Sequence, residues 1–278
     1  MDENVINDLS NFFSDDFVLL NYTSLSGGCI NQVYKIETNF GSYVLKLNKN
    51  IPKDFFYLEN NALNLLSNIC EVNVPKVVFH TSNFLLLEYI NECNKTDSFF
   101  SNLGHSISEL HKVTDHDFGL DHNNYIGSLS QVNARYNNWS DFFIVNRLLP
   151  LIELYEFNSS FLKSFDLFLK KIDLIIPVEK PSLLHGDLWI GNVINSFEVP
   201  YLIDPAIYYG HREMDLAMSK LFGGFHDDFY STYNENYPLI AGWEDRRDIY
   251  NLYPLLVHLN LFGRSYYSKI LTIVNKYT

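Results

Sequence analysis

The stretch HGDLWIGN, residues 185–192, sets an aspartate and an asparagine five residues apart, Asp187 and Asn192, directly after the apolar run Pro181–Leu184. Glycines flank the pair at Gly186 and Gly191, and Trp189 stands between them. A buried strand has no use for two polar side chains at that interval, and a surface turn rarely carries a tryptophan. The plain reading is an Asx-rich hairpin whose aspartates cap turns. The chemical reading asks what reaction needs an acid and an amide so placed.

Phosphoryl transfer does. It requires a carboxylate to orient an attacking hydroxyl and accept its proton, and a second carboxylate, often with an amide oxygen, to hold Mg²⁺ against nucleotide phosphates. The Asp187–Asn192 spacing is that of HRDxxxxN catalytic loops. Asp204 supplies the second carboxylate at the end of VPYLID (199–204), twelve residues after Asn192. Upstream, Lys46 lies in YVLKLN (43–48), a segment alternating as a strand does. Such a lysine either solubilises an edge strand or points inward at an anion. Glu59, one turn into the next helix, is the residue to pair with it, or else a solvated helix glutamate. The glycine-containing turn SGGCIN (26–31) would let backbone N–H groups approach phosphate oxygens. Lys46, Asp187, Asn192 and Asp204 in this order are far more specific than any one of them.

The rest of the chain is compatible with such a site. With 278 residues, 47% of them hydrophobic and 16% aromatic, it can bury one large or two small cores. A net charge of −13 argues against nucleic acid as a partner. Cys29, Cys70 and Cys93 form neither a CxxC pair nor a zinc pattern, which favours a reduced, cytoplasmic setting. The N-terminal stretch is acidic where a signal peptide would be basic, and no apolar run is long enough for a bilayer, so no membrane partner is expected. Residues 1–90 read as strands with one helix opened by Pro52. Residues 91–278 read as amphipathic helices over 99–112, 141–157, 161–176, 213–222, 245–262 and 265–275, interrupted by a short β insertion and by a long loop over 114–138. The expected architecture is α+β and bilobal, with a small antiparallel β N-lobe and a larger helical C-lobe around a cleft. DHDFGLDH (115–122) carries no metal-ligand spacing and reads as a solvated loop.

LLHGDLWIGNV and LIDPAIYYGHREMDLAMSKLFGGF together resemble the fructosamine-kinase (ketosamine-3-kinase) family, a branch of the aminoglycoside-phosphotransferase-like kinases. SGGCINQVYKI, NNWSDFFIVNRL and LYPLLVHLNLFGRSYYSKI are similar to further family segments, so the resemblance covers most of residues 20–270. It implies a protein-kinase-like fold and ATP- and Mg²⁺-dependent phosphorylation of the 3-hydroxyl of a free or protein-bound ketosamine, a reaction of protein and amine repair, by a monomer or homodimer. It further implies Asp187 as catalytic base and Asn192 and Asp204 as Mg²⁺ ligands. Lys46 would hold the ATP phosphates, braced by Glu59. Gly27, Gly28 and Cys29 would form the phosphate loop, and Glu88, Tyr89 and Ile90 the hinge that receives adenine. His185 and Asp215 would fix the catalytic loop. Trp189 would either face the substrate or wedge that loop, while Trp139, Trp243, His258 and Asn260 are candidates to line the sugar pocket or belong to the core. The metal motif reads DPA (204–206), not DFG, so a protein-kinase Phe switch is lacking. Cys29, in the positive field of a phosphate loop, is a candidate for redox sensitivity. Alternative readings are an aminoglycoside- or choline-type kinase of the same architecture and a non-catalytic nucleotide-binding pseudokinase.

Overall fold

Two-residue alternation in the first ninety residues builds a five-stranded antiparallel sheet. Its strands are β1 (Leu19–Ser24), β2 (Gln32–Thr38), β3 (Gly41–Leu47), β4 (Val77–His80) and β5 (Phe84–Glu88), in the order β1-β2-β3-β5-β4. The computed structural model describes residue 1 and residues 3–25, 30–69 and 71–278. Gly27, Gly28 and Cys29 therefore lie outside the described residues.

Side chains on β3 point alternately to opposite faces. Leu45 joins Ile36, Phe84 and Leu86 in a core closed by Val5 and Leu9 of helix α1 (Glu3–Phe13). Its neighbour Lys46 is thereby sent to the other face, where helix α2 (Phe55–Ser67) follows in the chain. β3 is an interior strand, so Lys46 is no edge-strand solubiliser. The turn Phe55 N–H to Pro52 O (3.1 Å) precedes α2, which starts three residues after the proline.

Contacts divide the chain into two compact units, Met1–Lys95 with Val193–Asp204, and Thr96–Asn192 with Pro205–Thr278. The late addition to the first unit is a hairpin of β9 (Val193–Ser196) and β10 (Val199–Leu202). Its turn residues Phe197 and Glu198 both take positive φ (52° and 68°), the requirement of a type I′ turn, and Asn195 Oδ1 accepts from the Glu198 N–H (2.8 Å). The hairpin is bonded into the first unit by Leu202 N–H to Asn73 O (2.8 Å), Cys93 N–H to Asn195 O (2.7 Å) and Asn195 Nδ2 to Asn94 O (2.5 Å).

The second unit is mainly helical. It comprises α3 (Asp97–Lys112), α4 (Trp139–Phe142), α5 (Leu149–Glu153), α6 (Ser159–Leu169), α7 (Ile172–Ile175), α8 (Glu213–Leu221), α9 (Asp227–Asn236), α10 (Trp243–Phe262) and α11 (Tyr267–Lys276). Two small antiparallel pairs are set among them, β6 (Asn124–Ile126) with β7 (Leu129–Gln131), and β8 (Ser182–Leu184) with β11 (Tyr208–Gly210). Thr96 caps α3 through a 3.2 Å bond from the Phe99 N–H.

The structure departs from the local reading in four places. The expected loop over 114–138 contains the β6–β7 hairpin, turned at Gly127 (φ 58°) and Ser128. The helix expected over 141–157 starts at Trp139 and widens to a π-helix over Phe143–Leu148. Pro150 explains the widening, since it has no N–H for the Asn146 carbonyl four residues back, and Arg147 Nη1 donates to that oxygen instead (3.2 Å). The segment 161–176 splits into α6 and α7. Helices α1 and α9 are not among the expected elements: α9 is mainly polar, whereas α1 carries an apolar stripe of Val5, Ile6, Leu9, Phe12 and Phe13 that the strand reading of the first ninety residues passes over. Among the described residues no helix is long and apolar enough to cross a membrane.

Candidate active site

In the second unit β8 delivers the chain into the loop His185–Asn192. Gly186 takes φ +82°, and a Cβ there would lie 2.0 Å from the Ala206 carbonyl oxygen, so only glycine fits. Asp215, 1% exposed on α8, accepts the His185 N–H (2.7 Å, Oδ2) and the Gly186 N–H (2.9 Å, Oδ1). His111 Nε2 meets the same carboxylate at 3.1 Å, and its Nδ1 lies 2.8 Å from the Tyr233 hydroxyl. Buried His185 turns Nδ1 toward the Asp187 N–H (3.3 Å). The loop then closes on itself. Asn192, 4% exposed, donates Nδ2 to both the backbone oxygen (2.9 Å) and Oδ2 (2.8 Å) of Asp187. Half-buried Asp187 is thus fixed through one carboxylate oxygen, and Asn192 has spent its NH₂ inside the loop, which leaves its amide oxygen for another partner.

In the first unit Lys46 is 5% exposed and its Nζ is bonded to both Glu59 Oε1 and Asp204 Oδ1. Burial alone would lower the lysine pKa, but the Asp204 and Glu59 carboxylates outweigh it and hold the ammonium form above its ordinary range. Burial pushes the Glu59 carboxyl up against the pull of Lys46. Asp204 is the opposite in setting, with a side chain 47% exposed on a backbone at φ 54°, a left-handed conformation that few non-glycine residues adopt. The β3–β5 ladder ends at Glu88, whose carboxylate accepts the Lys76 N–H (3.2 Å). The peptide groups of Tyr89 and Ile90 lie beyond the ladder, and Lys35 Nζ sits 4.5 Å from the Tyr89 ring centre. The carboxylate of Asp204 and the amide oxygen of Asn192 are both hard oxygen donors, the kind Mg²⁺ takes.

Near the Asp187 loop a line of rings runs through the second unit. Trp189 lies 6.4 Å from Phe222, Phe222 4.8 Å from His258, and His258 5.2 Å from Tyr266. The Trp189 indole needs Gly191 beneath it, since a Cβ there would lie 2.1 Å from the ring. His258 Nδ1 donates to the Pro254 carbonyl (2.7 Å), and burial lowers its pKa, so Nε2 carries the free lone pair of a neutral imidazole. The remaining candidates go elsewhere. Trp139 is 5% exposed in the helical core, Asn260 spends its amide on the Leu151 and Leu256 carbonyls, and Trp243 stacks with Tyr230. Among the described residues His116, Asp117, Asp121 and His122 form no group that could chelate an ion. Residue-by-residue reading missed His111, whose helix is apolar enough to predict but whose partner is 104 residues away.

Comparisons with known proteins bear on what this arrangement does. A family model described as fructosamine kinase matches residues 1–278. A protein of Enterococcus faecium named as a candidate ketoamine kinase is 40% identical over 253 residues, 88% of this chain and 90% of its own. A solved structure from Thermobifida fusca, of a candidate fructosamine-3-kinase, superposes with a TM-score of 0.90 at 27% identity, covering 99% of this chain and 98% of its own. An ADP-bound aminoglycoside phosphotransferase shares the fold at 17% identity, with a TM-score of 0.69 over 99% of this chain and 96% of its own.

Proposed function

This chain belongs to the fructosamine kinase family and is a phosphotransferase, and from that premise we propose that it transfers the γ-phosphoryl group of ATP to the 3-hydroxyl of a ketosamine, of fructosamine or ribulosamine type. The observation that carries the reading is the Asp187 carboxylate, pinned through one oxygen by Asn192 on a loop whose backbone is tied to Asp215. A base so held presents its carboxylate to the substrate hydroxyl in a fixed direction. No reorganisation is then needed at the moment of reaction.

In the proposed step the 3-hydroxyl oxygen forms a bond to the γ-phosphorus as the bond to the β-phosphate oxygen breaks. Asp187 takes the hydroxyl proton and ADP leaves. Lys46, kept charged by its carboxylate partners, would exchange Asp204 for phosphate oxygens while Glu59 continues to brace it. Asp204 and Asn192 would hold Mg²⁺, which offsets charge on the transferred phosphate when it is bound. Backbone groups of Glu88, Tyr89 and Ile90 would receive adenine. Trp189, Phe222 and His258 offer apolar faces and one imidazole acceptor to a sugar. Phosphorylation at C3 would make the adduct labile, so the biological outcome is removal of the sugar from the amine.

The test is ATP consumption with Mg²⁺ on ribulosamine and fructosamine derivatives of lysine, beside aminoglycoside and choline controls. Turnover on a ketosamine should fall by about 10³-fold in Asp187→Ala while ATP affinity stays close to wild type. Turnover on a control alone would replace the substrate class, and an active Asp187→Ala would remove that residue from the mechanism.

A further inference from the structure

The two residues that follow Pro205 are held by side chains from the β6–β7 hairpin. Gln131 Nε2 donates to the Ala206 carbonyl (3.1 Å) and Asn124 Nδ2 to the Ile207 carbonyl (2.9 Å). These two amides face each other across the hairpin, where Asn124 is the strand partner of Gln131. They are 6% and 2% exposed, and Gln131 Nε2 also donates to Asn124 Oδ1 (2.8 Å). Further groups fix which way the amides point. Tyr253 Oη donates to Gln131 Oε1 (2.6 Å), and Asn133 Nδ2 donates to Asn124 Oδ1 (2.8 Å). Arg147 Nη2 in turn donates to Asn133 Oδ1 (2.7 Å). Arg147 is fully buried, and its guanidinium stacks 3.9 Å from the ring centre of Tyr208, the next residue after Ile207. On the other side the Ala206 N–H bonds to the His185 carbonyl (2.9 Å), and the Ala206 oxygen is the atom that forbids a Cβ at Gly186.

We propose that Gln131 and Asn124 are positioning residues that hold Ala206 and Ile207 in a single backbone state and thereby fix Asp204, one proline upstream. Asp204 itself sits in a left-handed conformation, its side chain is half exposed and bonded to Lys46 through Oδ1, and its backbone runs directly into the peptide units so held. The motif has no DFG phenylalanine whose packing could set two states. A buried pair of amides in which every nitrogen and oxygen has a partner instead specifies one state, because each alternative would strand several polar groups. The proposal rests on the reading of Asp204 as a cation ligand made above.

Nucleotide binding tests it without any sugar acceptor. Isothermal titration with ATP alone and with ATP plus Mn²⁺ gives the affinity gained from the metal, and hydrogen exchange of the peptide spanning 204–210 reports the backbone. For Gln131→Met, close in size but unable to donate or accept, affinity for metal-free ATP should stay within twofold. The Mn²⁺ gain should fall at least fivefold, and exchange over 204–210 should speed up at least tenfold. Tyr253→Phe, which removes only the hydroxyl that orients Gln131, should shift both readouts in the same direction by a smaller factor and serves if Gln131→Met does not fold. Asp204→Asn separates the two ideas. If it leaves the Mn²⁺ gain intact, the assignment of Asp204 fails and this inference with it. If Asp204→Asn abolishes the gain but a folded Gln131→Met or Tyr253→Phe retains it, the assignment stands and the positioning role is overturned.

Discussion

His211 is fully buried beside two bidentate ion pairs, Arg212 with Glu179 and Arg246 with Glu213, and its Nε2 has no hydrogen-bond partner. Burial, only partly opposed by Glu179, lowers its pKa to about 4. Below pH 6.5 the unfolded chain therefore takes up a proton that the folded one refuses, and stability is lost as pH falls from 6.5 towards 4. The loss from this one group is at most about 3 kcal/mol. Thermal melts should show a steeper decline in that window for the wild type than for His211→Gln, and equal slopes would exclude the assignment. Asp204 offers a second test of a single residue. Asparagine tolerates its left-handed backbone and alanine does not, so Asp204→Ala should be less stable than Asp204→Asn by about 1 kcal/mol, with both inactive. At this scale the sequence is an uneven guide. The interval between Asp187 and Asn192 is chemistry written into neighbouring positions, which is why it can be read directly. The ties from His111 to Asp215 and from Gln131 to Ala206 join residues 104 and 75 apart, and no local pattern announces them.

Between elements, α3 and α9 approach closely at Gly104. A Cβ on Gly104 would lie 2.4 Å from the Phe229 carbonyl oxygen, backbone that cannot step aside cheaply. Gly104→Ala, ordinarily a gain inside a helix, should here cost about 1–3 kcal/mol by chemical denaturation. Neither partner hints at this in advance, since α9 buries only Phe229 and Tyr233 and reads as a polar segment. The β6–β7 hairpin did carry a signal, a Gly-Ser turn between NYI and LSQ, but its strands of three residues are below the length at which alternation persuades. The π-helix likewise has a visible cause in Pro150 and an invisible consequence in Arg147. Arg147→Lys keeps the charge but loses the planar fork that reaches Val132 O, Asn133 Oδ1 and Asn146 O, and the stacking on Tyr208. It should lower the melting temperature far more than Arg264→Lys at the exposed end of α10.

For the molecule as a whole, the formal charge of −13 opposes the approach of an anionic nucleotide, and Lys46 already has two carboxylates for company. Salt screens such repulsion over about 8 Å at 0.15 M. The kcat/KM for ATP should therefore rise as ionic strength is brought up from a few millimolar, the reverse of what an attractive field would give, and a steady fall would show that local attraction dominates. Strand alternation and helical periodicity made the mixed composition of the chain legible. They could not indicate that Val193–Asp204 completes the first unit, because pairing to residues a hundred positions earlier leaves no trace in either segment. That hairpin has a consequence for the order in which the protein comes into being. On the ribosome, the segment up to Lys95 is finished long before the strands that bond to Asn73, Cys93 and Asn94 exist. At about 5–20 residues per second, the nascent first unit waits on the order of ten seconds with those backbone groups unmatched. Synthesis must run through most of one folding unit before the other can be sealed.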